Sequence, residues 1–126
     1  MFEFFIENTE LRFHTCAELR VAMLKVCKRN PQIARHFYLG KSRQKRVIDG
    51  YVLGRGPKTV SLIAGAHADE PVGPETLRTL ILQCAAIDEA NPELFEKYRF
   101  AVVPHVNPDG EMANRHWMAK WPEVES

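Results

Sequence analysis

The chain has 126 residues, a length that suits one domain with a hydrophobic core of its own. Hydrophobic residues make up 45% and charged residues 26%, which is ordinary for a folded α/β domain, and the net charge of +1 gives no long-range attraction to nucleic acid or acidic membranes. No stretch approaches the roughly 20 consecutive apolar residues that a membrane helix needs. These values favour a single domain, residues 1–126, with no nucleic-acid partner and no membrane partner.

The predicted elements alternate between strands and helices. A short apolar segment, Phe2–Ile6, comes first, and a helix over Cys16–Arg29 follows it. The remaining elements, in chain order, are strands at Ala34–Leu39, Val47–Leu53 and Thr59–Ala64, a helix that is entered at Pro71 and runs through Ile87, and a strand at Arg99–Val103. This order predicts an α/β fold in which a mixed β-sheet of about four strands is flanked by helices.

The chain has three cysteines, an odd number. Cys16 and Cys27 lie eleven residues apart on one predicted helix, about 16 Å along its axis at the standard rise, which is far beyond the reach of a disulfide. Cys84 falls on the core side of its own helix. Three free thiols indicate a reducing compartment, and the amino terminus has no pattern typical of a targeting signal. We therefore expect a cytoplasmic protein.

The first motif joins a strand to a helix. The apolar run Thr59–Ala64 ends at Gly65, and His67 and Glu70 follow before Pro71 opens the helix. Because a proline disfavours the α region for the residue before it, Glu70 is expected to be extended or in a turn. An imidazole and a carboxylate on one turn are two of the three protein ligands that a catalytic zinc takes while a fourth position stays open to water. The alternative is that His67 is only a polar loop residue, since His-x-x-Glu also occurs by chance.

The second motif is Asn107-Pro108-Asp109-Gly110, which follows the last predicted strand. Such a sequence forms turns, because proline fixes φ and its neighbours tolerate tight geometry. Asn114 and Arg115 follow shortly after it. An arginine here can present a planar, permanently charged donor fork to a carboxylate or to a developing oxyanion, although Arg115 taken alone is more typical of a solvated surface residue.

With these motifs the chain resembles the zinc carboxypeptidases, the metallocarboxypeptidase family with its amidase and deacylase relatives. Gly65–Glu70 matches the family's Gly-x-His-x-x-Glu between a strand and a helix, and Asn107–Gly110 matches its Asn-Pro-Asp-Gly turn. Gly40–Arg46 is similar to the Gly-x-Ser-x-x-x-Arg strand pair that leads into the zinc motif. The matches follow the family's order from Cys16 to Trp117.

The resemblance implies a zinc-carboxypeptidase-like (phosphorylase/hydrolase-like) architecture, Zn²⁺ as cofactor, and His67 and Glu70 as metal ligands. Arg115 would be either the catalytic, oxyanion-stabilising arginine or, with Asn114, the pair that binds a substrate carboxylate. Both roles stay open because the spacing after Gly110 is shorter than in either family pattern. The substrate would be a peptide or an acyl-amino acid. Asp109 is a candidate hydrogen-bond partner for the free ring nitrogen of His67.

The family takes its third zinc ligand, a histidine, and its general base, a glutamate, from positions that would lie beyond Ser126. His105 and His116 are the histidines near the second motif, and neither sits where that third ligand should be. The resemblance therefore implies the amino-terminal part of a catalytic domain, apparently truncated, with an exposed sheet edge through which it could form a homo-oligomer. Two alternatives stay open: an amidase or deacylase acting on a small acyl-amino acid or a cell-wall peptide, and a non-catalytic remnant that serves as a binding domain.

Overall fold

The structure is a computed structural model and describes residues 13–120. The described elements are, in chain order, α1 (Cys16–Arg29), β1 (Ala34–Lys41), β2 (Val47–Gly54), β3 (Lys58–Ile63), α2 (Val72–Leu82), α3 (Cys84–Ala90), α4 (Pro92–Lys97), β4 (Tyr98–Val103) and α5 (Pro108–Lys120). The predicted α/β order is confirmed. The predicted segment Phe2–Ile6 lies outside the described residues. Within residues 13–120, no helix is long and apolar enough to cross a membrane.

The four described strands form one mixed sheet in the order β1-β2-β4-β3. β1 and β2 are an antiparallel hairpin, β4 runs antiparallel to β2, and β3 runs parallel to β4. Because the carboxyl ends of neighbouring parallel strands meet at the same edge of a sheet, the chain leaves β3 at Ile63 and β4 at Val103 side by side. Open α/β sheets bind their ligands at such strand ends.

The hydrophobic core lies on one face of this sheet. Strand register places Tyr51 opposite Val102 and Leu53 opposite Phe100, so these side chains share a face. Helices α1 to α4 each contribute buried side chains to it: Met23, Cys27, Ile81, Cys84 and Phe95. Burial of these apolar groups is the main stabilising contribution to the fold.

Two helical boundaries differ from the prediction. The helix expected to run through Ile87 is interrupted at Gln83, which ends α2 and precedes α3. The polar segment expected after Asn91-Pro92 is instead the short helix α4, in which Pro92 occupies the first turn and Phe95 is fully buried. Proline suits the first turn of a helix because its missing N–H would have no helical partner there, and burial of Phe95 supplies the apolar contact that holds this short helix in place.

The other face of the sheet and both edge strands carry exposed apolar side chains. On edge strand β1, Phe37 is 45% exposed and Leu39 is 56% exposed, and on edge strand β3, Ile63 is 65% exposed. Edge strands also present unpaired backbone N–H and C=O groups that can pair with another chain. Exposed apolar side chains next to such groups favour association.

We therefore expect this chain to self-associate, with a mass that rises with concentration in light scattering. Leu39→Lys should reduce the association, because a lysine on an edge strand opposes strand pairing. Val21→Lys is the matched control, since Val21 is similarly exposed but lies on the outer surface of α1. A monodisperse monomer at all concentrations, without binding of a hydrophobic dye, would contradict the expectation.

Candidate active site

The His67–Glu70 segment forms the tight turn that the sequence predicts. The Glu70 N–H donates to the carbonyl of His67 at 3.2 Å, and α2 begins two residues later at Val72. The side chains of His67 and Glu70 are exposed, and neither makes a hydrogen bond or an ion pair to another residue in the described range 13–120. Both side chains are therefore available to bind a ligand from solvent.

The two sequence motifs meet at the ends of β3 and β4. The Val106 N–H donates to the carbonyl of Ala64 at 3.0 Å. A Cβ added at Gly110 would lie 2.6 Å from the Cβ of Ala68, so the glycine of the second motif packs directly against the turn of the first. The fold thus brings together two segments that are forty residues apart in the chain.

Gly65, at the start of the first motif, packs closely against His105, two residues before the second motif. Gly65 has φ +80°, in the left-handed region that favours glycine. A Cβ added to it would lie 2.4 Å from Nδ1 of His105. Glycine is therefore the residue type that allows both this backbone conformation and this close approach to the buried imidazole.

The second motif is the start of helix α5 as well as the turn after β4. The side-chain oxygen of Asn107 accepts a hydrogen bond from the N–H of Gly110 at 3.0 Å. Pro108 is the first residue of α5. A side-chain acceptor before the helix and a proline at its first position are the usual start of a helix. The motif therefore begins α5, and the loop that leads into it follows the end of β4 at Val103.

Asp109 connects the second motif to the hairpin turn between β1 and β2. Its carboxylate accepts from the Ser42 hydroxyl at 2.7 Å, from the Gln44 N–H at 3.1 Å and from Arg46 Nη1 at 2.9 Å. The Ser42 hydrogen bond, with help from Arg46, holds the pKa of the Asp109 carboxyl below its ordinary value. The prediction that Asp109 pairs with His67 is wrong, because its oxygens are engaged by the Gly-x-Ser-x-x-x-Arg motif.

Asn114 and Arg115 lie on α5, half-buried and exposed respectively. Arg115 and His116 line a groove of about 410 Å³ together with Phe13, Thr15 and other residues at the start of α1. His67 and Glu70 are not among the residues that line this groove. The structure places Arg115 at the α1–α5 groove, and its predicted catalytic or substrate-binding role stays a prediction.

A buried ion pair that the sequence analysis missed lies between α2 and α5. Arg78 and Glu111 are 1% and 2% exposed, and Arg78 Nη2 donates to Glu111 Oε1. Arg78 also donates to the carbonyl of His14 at 2.5 Å and to Cys16 Sγ at 3.0 Å. The sequence offered one signal for Arg78: it stands three residues before Ile81, one of the apolar positions of the predicted helix, and a charge on a buried helix face needs a partner. Nothing in the sequence identifies Glu111 as that partner.

Two ionisable groups beside this pair have shifted pKa values. Burial raises the pKa of the Cys16 thiol to about 11, so the thiol stays protonated at neutral pH. Burial also lowers the pKa of His105, which is therefore neutral at neutral pH. Its Nδ1 accepts the N–H of Asn107 at 3.1 Å, which places the ring proton on Nε2, 4.0 Å from Glu111 Oε1. His105 supports the junction of the two motifs rather than facing solvent beside His67.

His67 and Glu70 fit a zinc ion in donor chemistry, since a neutral imidazole nitrogen and a carboxylate oxygen are among its preferred ligands. Residues 13–120 contain no cluster of three or more histidine, cysteine, aspartate or glutamate side chains that could hold a metal ion. The described residues thus offer two donors for a site that normally has three.

Comparison with known proteins agrees with this geometry. The zinc carboxypeptidase family model matches residues 20–123. The chain belongs to the zinc carboxypeptidase family. It is 30% identical over 112 residues to "Zinc carboxypeptidase A 1" of Anopheles gambiae, covering 83% of this chain and 26% of that protein. It is 34% identical over 101 residues to the Drosophila melanogaster protein of the same name, covering 70% of this chain and 24% of that protein.

Solved structures of the zinc carboxypeptidase family show the same fold. Carboxypeptidase A from Helicoverpa armigera has a TM-score of 0.72 at 21% identity, over 82% of this chain and 26% of that one. A metallo-carboxypeptidase from Burkholderia cenocepacia has a TM-score of 0.63 at 28% identity, over 75% of this chain and 27% of that one. The chain spans about a quarter of the length of the curated insect relatives. The predicted architecture, an amino-terminal part of this catalytic fold, is confirmed.

Proposed function

We propose that this zinc carboxypeptidase family chain contributes to zinc-dependent hydrolysis of a peptide bond and that His67 and Glu70 are two of the protein ligands of Zn²⁺. The observation that carries the proposal is the contact between the two family motifs, in which Gly110 packs against Ala68. This contact fixes the turn that holds both donors against the start of α5, while the donors themselves stay exposed and without protein partners in the described range.

A zinc ion held at this turn would lower the pKa of a bound water and polarise a carbonyl oxygen. The chain itself supplies the fixed frame: the Glu70 N–H bond to His67 closes the turn, and His105 packs beneath Gly65. The third ligand and the general base would come from outside the described residues. On this proposal residues 13–120, which offer two metal donors, are not expected to turn over substrate by themselves.

Arg115 is proposed to serve the substrate, either by stabilising the oxyanion or, with Asn114, by binding a carboxylate. Its exposed guanidinium is compatible with both roles. The proposed substrate is a peptide cleaved near its carboxyl end, and the family membership supports this choice. A deacylase or amidase acting on a small acyl-amino acid or a cell-wall peptide, and a non-catalytic binding domain, are the alternatives, and both would keep the same fold.

A cytoplasmic location is also proposed. Cys16, Cys27 and Cys84 are all unpaired in the structure, with Cys27 and Cys84 buried. Free thiols persist in reducing compartments. The thiol state of the protein isolated from its native cells, measured by alkylation before lysis, tests this proposal.

Zinc titration by calorimetry tests the metal site. We expect weak but saturable binding to the wild-type chain, because the turn offers only two protein ligands. His67→Ala and Glu70→Ala should each weaken binding about 10-fold or more, since even the groups that only support metal ligands contribute 10–100-fold. His116→Ala is the matched control, because His116 is an exposed histidine on α5 outside the turn. If the His67→Ala and wild-type titration curves coincide, the metal assignment fails.

A further inference from the structure

The ion pair between Arg78 and Glu111 joins the two helices that follow the two family motifs. α2 begins directly after the His67–Glu70 turn, and Arg78 is its seventh residue. α5 begins within the Asn107–Gly110 motif, and Glu111 is its fourth residue. The pair therefore connects the helix that follows the proposed zinc ligands to the helix that carries Asn114 and Arg115.

The contacts of this pair are directional and come from three segments. Arg78 donates to Glu111 on α5, to the His14 carbonyl at 2.5 Å and to Cys16 Sγ at 3.0 Å. The second oxygen of Glu111 accepts the Cys16 N–H at 2.8 Å. Charge-assisted hydrogen bonds of a planar guanidinium fix the relative orientation of the groups they join. These bonds thus define how α5 is rotated and shifted relative to α2 and to the start of α1.

A buried ion pair is a poor way to gain stability. Well-packed hydrophobic residues of similar volume often stabilise a fold as much or more, because they avoid the desolvation of two charges. Hydrophobic contacts are non-directional, however, and leave neighbouring helices more freedom to slide and rotate. The use of a charged pair at this junction is therefore consistent with a role in geometry.

We infer that Arg78 and Glu111 are positioning residues, which set the orientation of α5, and with it Asn114 and Arg115, relative to the His67–Glu70 turn. This inference rests on the proposed function, because the orientation of α5 affects catalysis only if the turn binds zinc and α5 binds the substrate. Within residues 13–120, neither Arg78 nor Glu111 makes a hydrogen bond or an ion pair with His67 or Glu70. The two residues would therefore act on the substrate-binding side of the site and leave metal binding unchanged.

The experiment measures the geometry without metal or substrate. Two exposed positions are labelled: Asp69, on the turn, and Lys120, at the end of α5. Each is replaced by an amino acid with a ketone side chain, to which a nitroxide spin label is attached. This chemistry leaves the native cysteines unmodified. Their separation is measured by electron paramagnetic resonance in the wild-type chain and in the paired variant Arg78→Met with Glu111→Leu. The urea midpoint of each labelled protein is measured in parallel.

We expect the paired variant to keep its urea midpoint while the label separation shifts or widens by at least about 1 Å, the size of displacement that can cost roughly 100-fold in rate at a catalytic site. The control pair, Arg55→Met with Asp88→Leu, removes a surface ion pair of 3.4 Å and should leave the separation unchanged. An unchanged separation in a folded paired variant would overturn the inference.

If the paired variant does not fold, Glu111→Gln decides the question with the same labels. In the wild type, Arg78 and the Cys16 N–H bind different oxygens of Glu111. Glutamine replaces one of these oxygens with an NH2 donor, so one of the two hydrogen bonds is lost if the side chain keeps its position. A wider or shifted separation supports the positioning role, and a wild-type separation overturns it. Zinc titration of the same proteins tests the proposed function separately from the positioning role. If the wild-type chain binds no zinc, the proposed function fails, but the measured effect of the pair on the label separation is unaffected.

Discussion

Glu111→Leu is expected to destabilise the fold by about 3–5 kcal/mol, the usual effect of removing one partner of a buried ion pair. The reason is that Arg78 stays 1% exposed and cannot lose its proton, so its charge would remain buried without its closest carboxylate. Among residues 13–120, the nearest remaining carboxylate is that of Glu75, at 3.7 Å. Against a typical total stability of about 5–15 kcal/mol, this loss would unfold a marginal chain.

Urea unfolding followed by circular dichroism measures this effect as a lower midpoint at an unchanged slope. Asp88→Leu is the control. It breaks the ion pair with Arg55, whose side chain is 39% exposed, and surface ion pairs are worth roughly 0–1 kcal/mol. If Glu111→Leu and Asp88→Leu have the same midpoint, an unpaired Arg78 charge does not destabilise the fold as expected. Restoring the midpoint by adding Arg78→Met would show that the isolated charge caused the loss.

Gly65→Ala is expected to destabilise the chain by about 2–5 kcal/mol through two separate effects. A non-glycine residue in the left-handed region costs roughly 1–2 kcal/mol, and Gly65 has φ +80°. The added methyl group would also lie 2.4 Å from Nδ1 of His105, and insertion into a packed site costs about 1–3 kcal/mol. Relief requires the imidazole to move, which breaks its hydrogen bond with the Asn107 N–H.

Gly40→Ala separates these two effects. Gly40 also has a positive φ, +149°, but a Cβ added there would meet no atom within 4 Å. Its variant reports a backbone effect without a new contact, and a larger loss in Gly65→Ala is the result expected from the contact with His105. Equal urea midpoints for the two variants would show that the approach of Gly65 to His105 contributes nothing. Because Gly65 precedes the His67–Glu70 turn, we also expect weaker zinc binding in Gly65→Ala only.

The sequence by itself determined the order of the elements and the local geometry of the first motif. Proline after Glu70 and glycine before His67 predict a turn at the end of a strand, and the structure has that turn, closed by a hydrogen bond from Glu70 to His67. The family's motifs also predicted the architecture, because strand, turn and helix follow one another locally. The metal ligands, the roles of Asn114 and Arg115, and the location stay predictions.

Other features could be decided only by the tertiary structure, because they depend on contacts between residues far apart in the chain. Asp109 was predicted to pair with His67, and the position of the β1–β2 hairpin instead brings Ser42 and Arg46 to its carboxylate. Arg78 and Glu111 are ordinary surface residue types, and only the packing of α5 against α2 buries them as a pair. Local propensity describes a segment, whereas burial and charge pairing depend on which segments the fold brings together.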